Sequence, residues 1–311
     1  MVSEKDQNKL AIVIPYYKID FFEETIQSVA KQANKNFNLY IGNDASPNDP
    51  LPIIQKYFSS DDYNYFNYKT NLGSKNLALQ WERILENVHE EWFQILGDDD
   101  LISENFVEEF YNNLYLVNSK KINVLKFLFH WINEDSIPYK IHDYNTQYIG
   151  AEQILIKKYF AQIDSSLSEN VFRTSMYKKN KFEKIPLAWG SDELAILSFS
   201  GLKPVLFLKN AAVSVRIYSN SISGSEAKGL EKSNAYNIYR EKLIMKYGSR
   251  FPADFVRRVI NDYLNWCYYK KQKANIGIIF YELKKFQLVN ALKIGRRIFY
   301  IERKLKIESQ N

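Results

Sequence analysis

Three aspartates in a row, Asp98, Asp99 and Asp100, follow a short apolar run and are the residues of this chain best suited to chemistry. Adjacent like charges repel, so such a loop is costly unless a cation or a helix N-terminus offsets them. Hard divalent ions such as Mg²⁺ or Mn²⁺ take carboxylate oxygens and share them with substrate phosphates. On an extended segment side chains i and i+2 point the same way, so Asp98 and Asp100 are candidates for one ion while Asp99 faces elsewhere. On the triplet alone, a solvated acidic turn that caps the next helix is the plain alternative. A second polar stretch, Trp189-Gly190-Ser191-Asp192-Glu193, opens a predicted helix whose dipole favours an ionised carboxylate. Asp192 there is either a reactive acid or a helix cap, and Trp189 offers its face either to a ligand or to the core. His89, His130 and His142 are scattered without ligand spacing. The single cysteine, Cys267, excludes a disulfide framework and a Cys-cluster zinc site.

The elements that must position these residues alternate. Leu10–Ile14, Phe37–Ile41, Tyr63–Tyr68 and Glu91–Leu96 read as strands. Between them Phe22–Ala33, Leu51–Phe58 and Gly73–Val88 read as helices, and Ser103 as the N-cap of a further one. Strands separated by helices of this length predict βαβ units: an α/β fold with a mainly parallel central sheet and helices on both faces. Ligands of such sheets sit at the carboxyl ends of the strands. That rule places Tyr16, Asp44 and Asp98 to Asp100 along one rim. Further on, Ile122–Trp131, Leu167–Thr174, Val205–Leu208 and Ala211–Ile217 read as strands, with Gly224–Gly229 as a small-residue linker to a helical segment.

Composition narrows the classes. The 311 residues are 46% hydrophobic and 25% charged, as in a globular protein with a sizeable core. The N-terminus is polar, so no signal peptide is expected, and no apolar run approaches the roughly 18 to 20 residues of a membrane span. A cytoplasmic protein is expected. The net charge of +6 hides an asymmetry: from Arg240 onward there are 17 Lys+Arg against 6 Asp+Glu, whereas residues 1–239 carry 25 against 30. Nucleic-acid binding is disfavoured, because no recognition motif accompanies the basic tail and the acidic part would repel phosphates. A nucleotidyltransferase would normally show a Gly-rich phosphate loop near its first strand, and none is present.

At this point the chain resembles a family 2 glycosyltransferase of the GT-A fold. The resemblance rests on Ala11-Ile-Val-Ile-Pro-Tyr-Tyr17, Ile41-Gly-Asn-Asp-Ala-Ser46, Asn71-Leu-Gly-Ser-Lys-Asn76, Leu96-Gly-Asp-Asp-Asp100, Ser191-Asp192-Glu193 and Val215-Arg-Ile-Tyr-Ser-Asn-Ser-Ile-Ser223, six motifs in the family's order. The chain departs from the pattern at Asn43, Ala45, Ser191 and Tyr218. The resemblance implies an enzyme that uses a nucleotide-sugar donor. Pro15 and Tyr16 would line the nucleotide pocket, Asp44 would accept from the base, which points to uridine, and Lys75 would meet base or phosphate. Asp98 would contact ribose or metal, with Asp99 among the donor contacts, and Asp100 would hold a Mn²⁺ or Mg²⁺ ion bridging the diphosphate. Asp192 would be the catalytic base, and Arg216 and Tyr218 would lie near the diphosphate or the acceptor. One base within about 3 Å of the acceptor hydroxyl, opposite the leaving group, gives inversion.

The expectation is therefore an inverting, metal-dependent hexosyl- or N-acetylhexosaminyl-transferase acting on a glycan or lipid-linked acceptor, in bacterial cell-surface polysaccharide biosynthesis. The alternative is an inactive carbohydrate- or membrane-surface-binding protein of the same fold. A catalytic domain is expected over residues 1–225, with a nucleotide-binding half about 8–118 and an acceptor half about 119–225; a basic helical region follows over 226–311. Within it, residues 288–306 form a basic amphipathic helix. Ala291, Ile294, Ile298, Ile301 and Leu305 share one sector at about 100° per residue. That sector would either touch the inner face of an anionic membrane or pack on neighbouring helices.

Overall fold

The structure is a computed structural model that describes residues 8–219, 221–225 and 228–308. The polar N-terminus up to residue 7 and residues 226–227 of the expected linker lie outside the described residues. The chain divides into two compact units, Met1–Gly229 and Leu230–Asn311.

The first unit is built on ten strands: β1 (Leu10–Tyr16), β2 (Phe37–Asn43), β3 (Tyr63–Asn67), β4 (Trp92–Ile95), β5 (Leu101–Ile102), β6 (Val124–Ile132), β7 (Pro138–His142), β8 (Tyr148–Ile149), β9 (Asn170–Arg173) and β10 (Val205–Arg216). They form one mixed sheet in the order β3-β2-β1-β4-β9-β6-β10-β5, with β7 added to β6 and β8 to β10. The long pairings, β1 with β2 and β6 with β10, are parallel, as are β2 with β3 and β1 with β4. The antiparallel pairings run over two to four residues each. The parallel strands are apolar along their length because helices cover the sheet: Leu10 through Ile14 are fully buried. The helices are α1 (Phe22–Ala30), α2 (Leu51–Ile54), α3 (Leu77–Leu85), α4 (Phe106–Asn112), α5 (Leu114–Ser119), α6 (Ala151–Tyr159), α7 (Thr174–Asn180) and α8 (Ser191–Phe199).

Two expectations change in detail. The helix after Ser103 is split at Asn113 into α4 and α5, and its first cap position is Asn105; the Ser103 hydroxyl instead donates to the Asn105 side chain at 2.9 Å. The two strands read at 205–208 and 211–217 are one strand, β10, whose register against β6 shifts between Leu208 and Ala212. Exposed Lys209 and Asn210 sit at that bulge, and their polarity made one strand look like two.

The second unit is helical: α9 (Gly229–Lys242), α10 (Ala253–Tyr269), α11 (Gly277–Lys284) and α12 (Leu288–Glu308). Cys267 is a buried thiol in α10, in contact with the Asn237 amide at 3.6 Å. No described helix is long and apolar enough to cross a membrane.

Candidate active site

Parallel pairing brings the carboxyl ends of β1, β2 and β4 side by side. Tyr16 lies opposite Asn43, the Asp44 amide donates to the Tyr16 carbonyl at 3.0 Å, and the Leu96 amide donates to Val13 at 2.9 Å. The chain leaving β4 then reaches Gly97 and the three aspartates. A Cβ on Gly97 would come within 2.8 Å of an Asp100 oxygen and 3.1 Å of an Asp99 oxygen, so glycine leaves room for the carboxylates to fold back over this turn.

Each aspartate is held differently. Asp98 Oδ2 accepts from the backbone amides of Tyr17 and Lys18, both at 2.7 Å. Asp100 is buried; Oδ1 accepts from the Arg216 amide at 2.9 Å and Oδ2 from the Ser168 hydroxyl. Asp99 accepts no hydrogen bond from the described residues. Burial, reinforced by Asp100 and Asp98, holds the Asp99 carboxyl well above the usual carboxylate range against the pull of Lys18 and Arg216. Asp100 is pushed up to about 6, first by burial and then by Asp98 and Glu169, against the Ser168 and Arg216 hydrogen bonds. Burial also raises Asp98.

The loop therefore carries more negative charge than the fold neutralises. Among the described residues no three His, Cys, Asp or Glu side chains form a ready metal cage. What is present fits a hard cation that takes one or two carboxylates and completes its shell with diphosphate oxygens and water. Asp98 Oδ1 and the remaining lone pairs of Asp100 would hold such an ion.

Arg216 was expected near the diphosphate or acceptor, and its guanidinium is fully committed within the protein. Nε donates to the Asp99 carbonyl at 3.0 Å, and Nη1 to the carbonyls of Asn133 and Glu134, both at 2.9 Å. Nη2 donates to Glu24 Oε2 and the Ser136 hydroxyl, again at 2.9 Å. All five donors of an arginine are used, and the side chain is fully buried. Arg216 thus acts as a clamp between the aspartate loop, α1 and the β6–β7 turn. The cation that does face the aspartates is Lys18, whose Nζ lies 3.3 Å from the Tyr218 hydroxyl. Tyr218 is buried edge-on to Phe21; burial, with Asp99 and Asp98 nearby, raises its phenol.

Asp192 stands in the first turn of α8, which starts after Gly190 in the left-handed region at φ 84°, where glycine carries no steric penalty. Its carboxyl is pushed up to about 6 by burial and by Glu169, against the pull of Lys158, Lys126 and the Glu193 amide. Glu169 and Lys126 form an ion pair with both side chains fully buried, and Lys126 Nζ also donates to the Ser165 hydroxyl at 2.9 Å and Asn170 Oδ1 at 3.2 Å. The short stretch 165–170 therefore spans two groups: Ser168 bonds Asp100, while the charge of Glu169 reaches both Asp100 and Asp192. Trp189 is half-buried just before α8.

On the nucleotide side, Pro15 is half-buried and Tyr16 fully buried, its hydroxyl donating to the Asn48 carbonyl at 3.1 Å. Asp44 is buried and answered on both oxygens: by the amides of Leu72 and Gly73 at 2.7 Å each, and by an ion pair with Arg83. Burial still raises its carboxyl. Asp44 thus anchors the 71–76 turn, where the resemblance implied direct contact with a base. Lys75 is exposed on that turn, one residue before Asn76, whose side chain caps α3 by accepting from the Ala78 amide at 3.0 Å.

Lys18, Lys126, Ser168 and Glu169 were missed in the sequence. Lys126 carried the one local signal: a lysine inside an otherwise apolar strand must find a buried partner. Arg173 and the histidines fall outside the site: Arg173 pairs with Glu91 at the far end of β4, and His142 stacks on Phe129 at 4.3 Å.

Residues 11–185, more than half of the chain, match the family described as Glycosyl transferase family 2. An uncharacterized glycosyltransferase of Rickettsia typhi is 32% identical over 116 residues, which is 37% of this chain and 35% of that protein. The crystal structure of S. aureus TarS residues 1–349 in complex with UDP-GlcNAc superposes with a TM-score of 0.59 at 13% identity, covering 97% of this chain and 91% of that one. A crystal structure of S. aureus TarS covers 84% of this chain and 43% of its own, with a TM-score of 0.57 at 16% identity. The family match spans the strands that carry the aspartates. The chain belongs to glycosyl transferase family 2.

Proposed function

We propose that this glycosyltransferase is an inverting, divalent-metal-dependent enzyme that moves a hexosyl or N-acetylhexosaminyl group from a UDP-sugar to a glycan or lipid-linked acceptor. The observation that carries the reading is the under-neutralised triplet Asp98–Asp100, whose Asp99 is opposed among the described residues by Lys18 and the clamped Arg216. A Mn²⁺ or Mg²⁺ ion bound there offsets the negative charge that builds on the departing diphosphate. Asp98 and Asp100 hold the ion, Asp99 adds to the field at the donor, and Lys18 meets the diphosphate. Pro15, Tyr16 and Lys75 border the nucleotide, on a turn fixed by Asp44. Uridine is favoured by the UDP-GlcNAc complex of TarS, a neighbour in fold.

Asp192 takes the proton of the acceptor hydroxyl as it attacks. An acid pushed up to about 6 is ionised at neutral pH yet basic enough to accept a proton. Trp189 and Tyr218 border the acceptor. Both named relatives come from bacteria, and a bacterial surface polysaccharide is the proposed product class.

The test is a panel of UDP-hexoses and UDP-N-acetylhexosamines, screened for binding and hydrolysis with and without Mn²⁺. At least one donor is expected to bind more tightly with Mn²⁺, and Asp100→Ala is expected to remove that gain. Donor binding indifferent to Mn²⁺ and to the substitution would overturn the metal role. The peripheral membrane contact expected of residues 288–306 stands as part of the proposal, on a different face of the helix from the one marked by its pattern.

A further inference from the structure

The sector of α12 that the pattern singled out is occupied by protein. Ala291, Ile298 and Ile301 are buried, and α12 packs on α11 and α10. Arg297 fixes that seat through the side chains of Asn261, at 3.1 Å, and Asn265 of α10. The opposite face is open. Leu288 is 62%, Leu292 70% and Phe299 67% exposed, and at about 100° per residue they fall within about 40° of one another. Arg296 and Arg303 border this row and Lys293 lies beyond; all three are exposed and pair with no described residue. Glu302 borders the row on its other side, about 40° from Leu288. The α11–α12 turn extends the surface. Phe286 stands at its tip with φ 57° and is 90% exposed, next to Lys284 and Lys285. Isolated apolar side chains on a surface are ordinary; a row of them interleaved with arginines and ended by a protruding phenylalanine is not.

We infer that Phe286, Leu288, Leu292 and Phe299, with Lys293, Arg296 and Arg303, form a docking surface for an anionic lipid bilayer. The chemistry selects that occupant. The aliphatic and aromatic side chains enter the acyl boundary while the basic ones stay among phosphate headgroups, the division of labour of an interfacial helix. A second copy is a poor partner, because a two-fold contact would set the same arginines against each other. Nucleic acid would satisfy the cations and leave the leucines in water.

The experiment is flotation of the full 311-residue chain with vesicles of phosphatidylcholine, alone or mixed with phosphatidylglycerol, at low and raised salt. Neither donor nor metal is present, so the result is separate from the catalytic proposal. Binding is expected on the mixed vesicles and not on phosphatidylcholine alone, and raised salt is expected to weaken it. Two variants act on exposed side chains, which leaves the fold intact: Phe286→Ser/Leu292→Ser/Phe299→Ser and Lys293→Glu/Arg296→Glu. Each is expected to lower partitioning by about tenfold or more. Tyr115→Ser, which removes another exposed aromatic, is expected to change nothing. No partitioning, partitioning indifferent to phosphatidylglycerol, or partitioning unchanged in both multiple variants would overturn the inference. So would a monomer–dimer shift on the triple serine variant without any vesicle binding, since it would assign the face to a second copy.

Discussion

Asp44 and Asp99 sit on neighbouring loops of one sheet edge and meet opposite fates. Around Asp44 the fold supplies two backbone amides and an arginine, so the charge is spent on holding the 71–76 turn. Around Asp99 the nearest groups include two more carboxylates, and no described residue donates to it. The difference teaches how to separate architecture from chemistry among buried acids. Where donors from the protein match the charge, the acid is a fastener. Where acids are stacked on one another, the balance must come from something that binds. Asp192 lies between the two: Glu169 raises its carboxyl, while Lys158, Lys126 and the Glu193 amide pull the other way.

The contrast can be tested by removing charges from each side. The largest effect is expected at Asp192→Asn: turnover should fall by about 10² to 10⁴ while donor affinity is retained, as read by steady-state kinetics and calorimetry. A variant with near-full turnover would move Asp192 to the fastener side. Next comes the pH profile. A base pushed up to about 6 must be unprotonated to act, so kcat should rise about tenfold per pH unit below that value and level off above it. Asp44→Ala should cost about 3 kcal/mol in urea unfolding, because it leaves Arg83 and two amides unanswered. The smallest effect has the opposite sign: Asp99→Asn should stabilise the protein by about 1 kcal/mol at neutral pH, as read by thermal unfolding. The folded-state pKa of Asp99 lies above that of the unfolded chain. The folded state therefore binds more protons, and this group's contribution to stability is lost as pH rises through the carboxylate range. The advantage of Asn over Asp should accordingly shrink in mild acid.

The first half of the sheet was legible because its signals are local. Apolar runs such as Leu10–Ile14 end at turn residues, and each strand is followed by a helical stripe. The edge strand β7, with Ile137, Tyr139 and Ile141 exposed around it, and the short β8 gave no such signal, since their pairing to β6 and β10 is a matter of long-range register. Within the site, the aspartates and Asp192 stood out by type and place. Their environment did not. That Lys126 pairs with Glu169, 43 residues away, or that Ser168 reaches Asp100 across 68, is written in no local spacing. The role of Arg216 changed for the same reason: its position pointed to the rim, and its five acceptors come from three separate stretches of chain.

That arginine is a keystone with unequal supports. Three of its five anchor points are main-chain oxygens, of Asp99, Asn133 and Glu134, and survive whatever side chain those positions carry. The fork itself has no spare: a lysine would bring a single ammonium to a seat shaped for a plane of five N–H groups. The aspartate loop and the turn at 133–136 are in consequence one mechanical part, and neither can drift without dragging the other.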